Sequence, residues 1–496
     1  MSGTLDRIER WGNKLPHPFN LFLLFALAVL LLSWIAHALG VAVTHPLTGK
    51  PIAAVNLLDR QGIQNIITKA VSNFTGFAPL GTVLVAMIGV GVAERSGLFS
   101  AALKGFVRSV PPWLITAALV FAGVNASLTV DAGYVILVPL GAVLFASVGR
   151  HPIAGLAAAF AGVSGGFSAN LFLTPVDPLL AGLTQEAARL YDKNYVVPAT
   201  ANYYFMIGST FLLTLIGAAV NNWIVEPRLG RYRGQSDRAG DFLLAQERRG
   251  LVAAALTVVI ELFVLLFLIL PQNALLRDAK GTLDPFFQGM VVLMSVGFLL
   301  PGVAYGVAAG TIKNNRDVGR MIDETLGTMG SYIALAFAAS QFVAYFGWSN
   351  LGLIFAVTGA DLLRSSGLSG IPLIILFVFV CAAIDLFVAS ASAKWAVIGP
   401  VFVPMLMIMG YSPELTQAAY RVGDSFTNII TPLMPYMPLV IAFAQKYEPR
   451  IGLGTLLTLM LPYSVAFAAG WAALLALWLL LGIPLGPGSG TVYPPA

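Results

Sequence analysis

Residues 164–178 read SGGFSANLFLTPVDP, and residues 421–435 read RVGDSFTNIITPLMP. Both stretches lie inside long apolar segments, and both carry an asparagine, then Thr-Pro, then a second proline three residues on. A proline removes an amide donor and collides with the carbonyl one turn back, so each stretch interrupts a helix that its flanks would otherwise continue. Working outward, Gly149 and Pro152 match Gly410 and Pro413, Pro139 matches Pro400, and Tyr134 matches Trp395, all at one offset of 261 residues. Thr174-Pro175 and Thr431-Pro432 match at 257, with Asn170 and Asn428 just before them. An ordered series of matches is an internal repeat.

The surroundings of the repeat are too apolar for a soluble chain. Of 496 residues 58% are hydrophobic and 10% charged, where a soluble domain carries about a quarter charged. Lipid accepts side chains that are apolar all round, whereas a water-soluble core of this size does not form. The net charge of +5 is spread over connections between apolar runs, which argues against a nucleic-acid partner. Cys381 is the only cysteine and the four histidines are scattered, so no thiolate or imidazole metal site is expected. Residues 21–39 are too long for a cleavable leader and read as a retained span. Neither a phosphate-binding Gly-Lys-Ser/Thr loop nor a His-Glu-x-x-His pair occurs. Residues 162–166 spell Gly-x-Ser-x-Gly, but inside an apolar membrane segment rather than at a strand-to-helix turn, so the chain is not read as an enzyme.

Spans of about 20 residues are expected at 21–39, 77–93, 200–223, 251–270, 286–307, 332–348 and 454–482. Segments 112–149 and 372–410 read as re-entrant hairpins, and 152–189 and 413–446 as broken helices that cross. The fold class expected is an all-α polytopic membrane protein with about nine transmembrane helices, two re-entrant hairpins and inverted-topology repeats. It divides into an N-terminal span and connection (1–76), a first repeat (77–224), a loop with scaffold helices (225–327), a second repeat (328–482) and a tail (483–496). With the N-terminus cytoplasmic, inside connections hold about 17 Lys and Arg against about seven outside. Arg228, Arg231, Arg233, Arg238, Arg248 and Arg249 lie in one such loop. The C-terminal tail then falls on the periplasmic side of a bacterial inner membrane, and an odd number of crossings separates the two copies.

In such folds the breaks converge near the midplane, where freed carbonyls face cations and half-helix N-termini face anions. Ser390 and Ser392 at the tip of one hairpin, with Asn170 and Asn428 at the breaks, are candidate substrate contacts, and Asn125 stands at the tip of the other hairpin. Neutral oxygens of this kind suit Na⁺, and the candidate sodium ligands are Asn125, Asn170, Asp177, Asn428 and Asp424. Asp177, between two prolines, either caps the following half-helix, binds a cation, or takes up a proton; the coupling ion is therefore Na⁺ or H⁺, and no other cofactor is expected. Arg421 and Asp424, three apart on one helical face, either neutralise each other or serve the substrate, Arg421 as a bidentate anchor for a carboxylate. Asp131 and Lys394 sit near equivalent tips, and Lys394 either joins the site or snorkels to the interface. Trp395 either stacks on an aromatic ligand or belongs to the interfacial belt.

The stretches 164–178, 390–400 (SASAKWAVIGP) and 421–435 resemble the AbgT family of p-aminobenzoyl-glutamate transporters, as do 125–139 and 332–352. The resemblance runs from about residue 7 to about 482. It implies a homodimer of protomers with nine helices and two hairpins, moving p-aminobenzoyl-glutamate or a related anionic aromatic substrate by ion-coupled alternating access. Some members are described instead as exporters of sulfonamide antimetabolites; a dicarboxylate symporter of the same architecture is the other alternative. Family transport residues map onto Asp177, Trp395, Pro413, Arg421 and Asp424, and only through this resemblance does Pro413 join the substrate residues.

Overall fold

The computed structural model describes residues 18–44, 46, 49–128, 133–230, 232, 244–388 and 390–493. Helix α1 (Pro18–Ala38) leads into a short antiparallel pair, β1 (Ala42–Thr44) and β2 (Pro51–Ala53). Then α2 (Arg60–Thr75), whose first turn is capped by Asp59 accepting from the Gly62 amide at 2.6 Å, runs on into α3 (Ala78–Arg95) and α4 (Leu98–Arg108). The first hairpin is α5 (Ile115–Asn125) and α6 (Val138–Ser147), and the first broken helix is α7 (Pro152–Phe160) and α8 (Val176–Ala188). Helix α9 (Tyr203–Val220) closes this half, and α10 (Ala245–Ile269), α11 (Met290–Ala309) and α12 (Asn315–Thr328) form a middle block. The second half has α13 (Gly330–Trp348) and α14 (Leu351–Ser365), then hairpin arms α15 (Gly370–Asp385) and α16 (Ala391–Ile408). Half-helices α17 (Pro413–Phe426) and α18 (Met437–Gln445) follow, and α19 (Leu453–Leu480) ends the bundle.

Among the described residues seven helices are long and apolar enough to cross a membrane, or eight with α12 and α13 taken as one span bent by 44°. Six of the seven expected uninterrupted spans are among the seven and the other is α13. The remaining long helix, α16, is a hairpin arm that is long enough to span. Its interior prolines, Pro400 and Pro404, do not end it. The sequence reading treats α2, α4, α12 and α14 as connections. Their polar residues recur at helical spacing, so they fail a test for 20 continuous apolar residues while still forming amphipathic helices.

The two copies end their hairpins identically. In the first, the Gly149 amide donates to the Ala146 carbonyl and Arg150 to Phe145; in the second, Gly410 donates to Met407 and Tyr411 to Leu406. Both glycines are left-handed, with φ of 73° and 91°, as this helix-ending motif requires. Pro152 and Pro413 then open α7 and α17, preceded by His151 and Ser412, whose side chains accept from the Ile153 and Leu415 amides.

The core sits at the broken helices. Every residue of α17 and of α7 is buried, whereas α10 buries only Gly250 and Ala254. Close crossings rest on glycine. A Cβ at Gly423 would lie 2.3 Å from the Val378 carbonyl oxygen of α15, one at Gly155 2.1 Å from that of Gly141, and one at Gly89 1.7 Å from that of Ser295. Gly89 and Gly162 provide small-residue packing faces; Gly162 abuts the Val120 carbonyl of α5.

Candidate functional site

The first break opens where α7 finishes in a π-helical turn, Ala161–Gly165, and closes at the start of α8. Backbone groups released there need partners inside the membrane. Asn125 Oδ1, at the end of hairpin arm α5, accepts from the Leu171 amide at 3.0 Å, and Tyr203 donates to the Leu171 carbonyl at 2.9 Å. Ser127 donates to Asn170 Oδ1 at 2.7 Å. Asp177, in the first turn of α8 and not at its N-cap, which is Pro175, reaches back so that Oδ2 accepts from the Thr174 amide at 2.6 Å and its hydroxyl at 2.9 Å. Its other oxygen is not spent on this turn.

Asp177 Oδ1 takes the Arg421 guanidinium at 2.6 Å, and Arg421 also donates to the Ser168 carbonyl at 3.3 Å. Arg421 thus reaches from α17 across the first break, holding the residues on either side of it. Both side chains are buried, and Arg421 Nε has no partner among the described residues. Arg421 and Asp424 do not neutralise each other, because Asp424 turns to another partner. Lys394 lies 2.6 Å from Asp424 Oδ1 and also donates to Asp385, the last residue of α15. The snorkelling alternative for Lys394 is corrected: the residue is 2% exposed and its ammonium is fixed by two carboxylates. Asp385 is missing from the sequence reading. The signal available was an acid closing an apolar arm nine residues before a lysine across a turn.

Trp395 is neither at an interface nor open to a ligand in this conformation. It is wholly buried, stacked on Tyr420 at 4.4 Å between ring centroids, and donates from Nε1 to Thr184 at 2.8 Å. Thr184 passes the chain of bonds to Gln417 at 2.6 Å, so α16, α8 and α17 are tied together through one indole. Pro413 opens α17 eight residues before Arg421, roughly 12 Å along the axis. It sets where the helix starts. Asp131, Arg231, Arg233 and Arg238 lie outside the described residues.

A cavity of about 230 Å³ opens beside the breaks, lined by Ser390, Ser392, Asn428, Phe167, Tyr134 and Tyr436 among others. Tyr134 and Tyr436 stack face to face, 4.1 Å apart and 8° from parallel. Here the two hairpins and the second break meet. Of the candidate sodium ligands, Asn125 and Asn170 have their oxygens occupied by N–H or O–H donors, while Asn428 Oδ1 and Asp424 Oδ2 are buried without a partner among the described residues. Among the described residues no group of three His, Cys, Asp or Glu could hold a metal ion. Ser164 sits in the π-helical turn, fully buried, and among the described residues the two strands lie elsewhere, at Ala42–Thr44 and Pro51–Ala53.

Half-helices broken at buried charges and meeting hairpin tips, in two inverted copies, are the construction of a secondary membrane transporter. The chain belongs to the AbgT family: the family model described as "AbgT putative transporter family" matches residues 3–493. It is 38% identical over 490 residues to the p-aminobenzoyl-glutamate transport protein of Escherichia coli (strain K12), covering 98% of this chain and 96% of that one. The solved structure of the Alcanivorax borkumensis YdaH transporter, reported as having an unusual topology, is 48% identical with a TM-score of 0.91, covering 95% of this chain and 100% of that one. That of Neisseria gonorrhoeae MtrF, described as illuminating a class of antimetabolite efflux pumps, is 45% identical with a TM-score of 0.93, covering 98% and 100%. The protein is a multi-pass membrane transporter and not an enzyme.

Proposed function

We propose that this chain carries p-aminobenzoyl-glutamate, or a related aromatic anion, across the bacterial inner membrane by ion-coupled alternating access. The observation that carries the reading is Arg421, a buried guanidinium at the meeting of two helix breaks whose present partners are one carboxylate and one carbonyl. A ligand carboxylate replaces Asp177 on Arg421 with the same charge and geometry. The name of the Escherichia coli relative supports the substrate. The ring fits the apolar, tyrosine-lined cavity beside the breaks, where Ser390, Ser392 and Asn428 supply hydrogen-bonding groups for the amide.

Antimetabolite efflux is the second reading. The stacked Tyr134–Tyr436 pair favours it, because an aromatic wall accepts an aminobenzene ring whether or not a glutamyl group follows. The cytoplasmic N-terminus, the periplasmic tail and the homodimer belong to the same proposal.

Uptake of labelled p-aminobenzoyl-glutamate into proteoliposomes tests it. Accumulation that is lost in Arg421→Ala supports substrate and site together. Absence of uptake, with sulfonamide efflux present, replaces the first reading by the second. Accumulation undiminished in Arg421→Ala overturns the site.

A further inference from the structure

Asp385, Lys394 and Asp424 come from three elements, α15, α16 and α17, and are 0, 2 and 1% exposed. Lys394 Nζ contacts one oxygen of each carboxylate. Thr427 donates to the second oxygen of Asp385 at 2.6 Å. Tyr420 has one hydroxyl proton to share between the Ala391 carbonyl and Asp424 Oδ1. Asp424 Oδ2 is left buried with no partner among the described residues.

Two carboxylates and one ammonium sum to −1 when all are ionised. An uncompensated charge at this depth costs several kcal/mol, so the cluster is built to hold one more positive charge, at Asp424 Oδ2. A sodium ion bridging the acids would need the position between them, and the Lys394 ammonium already fills it. A proton needs a single oxygen and no coordination shell.

We propose that the Asp385–Lys394–Asp424 cluster is the proton-coupling site of this transporter, Lys394 serving as a built-in cation where a sodium ion would otherwise bridge the two acids. The proton binds Asp424 Oδ2 as an O–H and leaves the cluster neutral; its release restores −1, with no other bond made or broken. The proposal rests on the transporter reading and names its coupling ion.

The groups facing the cluster are few. Cys381 on α15 and Tyr420 on α17 are the titratable neighbours. From α8, packed on α16 and α17, Asp177 is held by Arg421; from α19, Tyr463 donates to Asn221; on α14, Asp361 and Arg364 pair with each other.

The test is pH-difference infrared spectroscopy of the reconstituted full-length protein, which reads the carbonyl stretch of a protonated carboxylic acid without any substrate. The wild type is expected to show such a band in sodium and in choline buffers alike. Asp424→Asn and Asp385→Asn each make the cluster neutral without a proton and lose the component, whereas Lys394→Met, which keeps both acids, retains it. Glu261→Gln is the control, since Glu261 on α10 is another membrane acid with a buried oxygen that has no partner among the described residues; the Asp424 component survives it. Suppression of the wild-type component by sodium overturns the proposal, as does its persistence in both Asp→Asn variants. If either variant fails to fold, the other and the sodium comparison still decide. A parallel transport arm asks whether a pH gradient drives several-fold more accumulation than a sodium gradient. Failure of transport alone, with the band behaving as expected, refutes the substrate and leaves the proton site standing.

Discussion

Replacing Arg421 by Met removes the guanidinium and keeps an apolar stem of similar length. Asp177 then loses its charge partner while remaining 1% exposed, with only Thr174 donating to it. Breaking a buried pair from one side costs about 3–5 kcal/mol, mostly for the charge left behind. Adding Asp177→Asn removes that charge, and contacting residues of this kind couple by about 0.5–3 kcal/mol. The expected cycle is therefore a severely destabilised Arg421→Met, a double variant that regains about 1–3 kcal/mol, and no transport from either. Arg421→Lys keeps the charge but not the two-pronged geometry that spans Asp177 and Ser168, and should fold while binding the anion weakly. Equilibrium unfolding in detergent reads the stability and labelled-substrate binding reads the site. A cost under about 1 kcal/mol for Arg421→Met, or single effects that simply add, would refute a buried Arg421–Asp177 pair.

Three further outcomes follow from the same geometry. Trp395→Phe keeps the stack on Tyr420 and loses the bond to Thr184, a cost of about 0.5–1.5 kcal/mol, while Trp395→Ala empties a buried site at about 3–5 kcal/mol; a folded Trp395→Phe protein unable to bind substrate would mean that the indole N–H, and not the ring stack, serves the ligand. Gly423→Ala forces a methyl against the Val378 carbonyl and should destabilise by about 1–3 kcal/mol or more, whereas Gly327→Ala on α12 meets nothing within 4 Å and should be neutral or better on thermal unfolding. Asn125→Ala strips the acceptor from the Leu171 amide at about 1–3 kcal/mol, visible as faster hydrogen exchange across the first break, and Asn125→Asp should spare it.

Prolines and glycines made the fold readable. Pro152, Pro175, Pro413 and Pro432 mark starts and interruptions by steric necessity, and Gly149 and Gly410 by their left-handed backbone, so the hairpins and breaks could be located without tertiary information. Amphipathic helices such as α12 escaped because their signal is periodic rather than continuous. In the site, Asp177 and Arg421 stood out as charges in apolar sequence, but their pairing did not. Residues 244 apart meet only when two broken helices pack, and nothing local prefers Asp177 over Asp424 as the partner of Arg421. Asp385 was hidden for the same reason: its meaning comes from Lys394 folding back over the hairpin tip. The surroundings of Trp395 were not legible, because a tryptophan at a tip is polar at one atom only, and which group receives that N–H is a question of packing.

Arg421 and Asp424 are one turn apart on α17, and they face different neighbours: the first broken helix on one side, the second hairpin on the other. A helix buried along its whole length holds the two clusters at fixed separation. Arg421 with Asp177 is neutral; the lysine cluster carries −1 or, once protonated, zero. A substrate anion entering at Arg421 brings further negative charge toward that cluster. For charges on the order of 8 Å apart at an effective permittivity of about 20, the interaction is about 2 kcal/mol, or roughly thirtyfold in proton binding. Linkage makes the factor reciprocal, so protonation must raise the affinity for the anion by the same amount. Substrate affinity measured by calorimetry should therefore rise as pH falls, by up to about thirtyfold, and Asp424→Asn should abolish that rise. An affinity that instead falls on acidification would mean that proton and anion compete, which is the signature of exchange rather than cotransport.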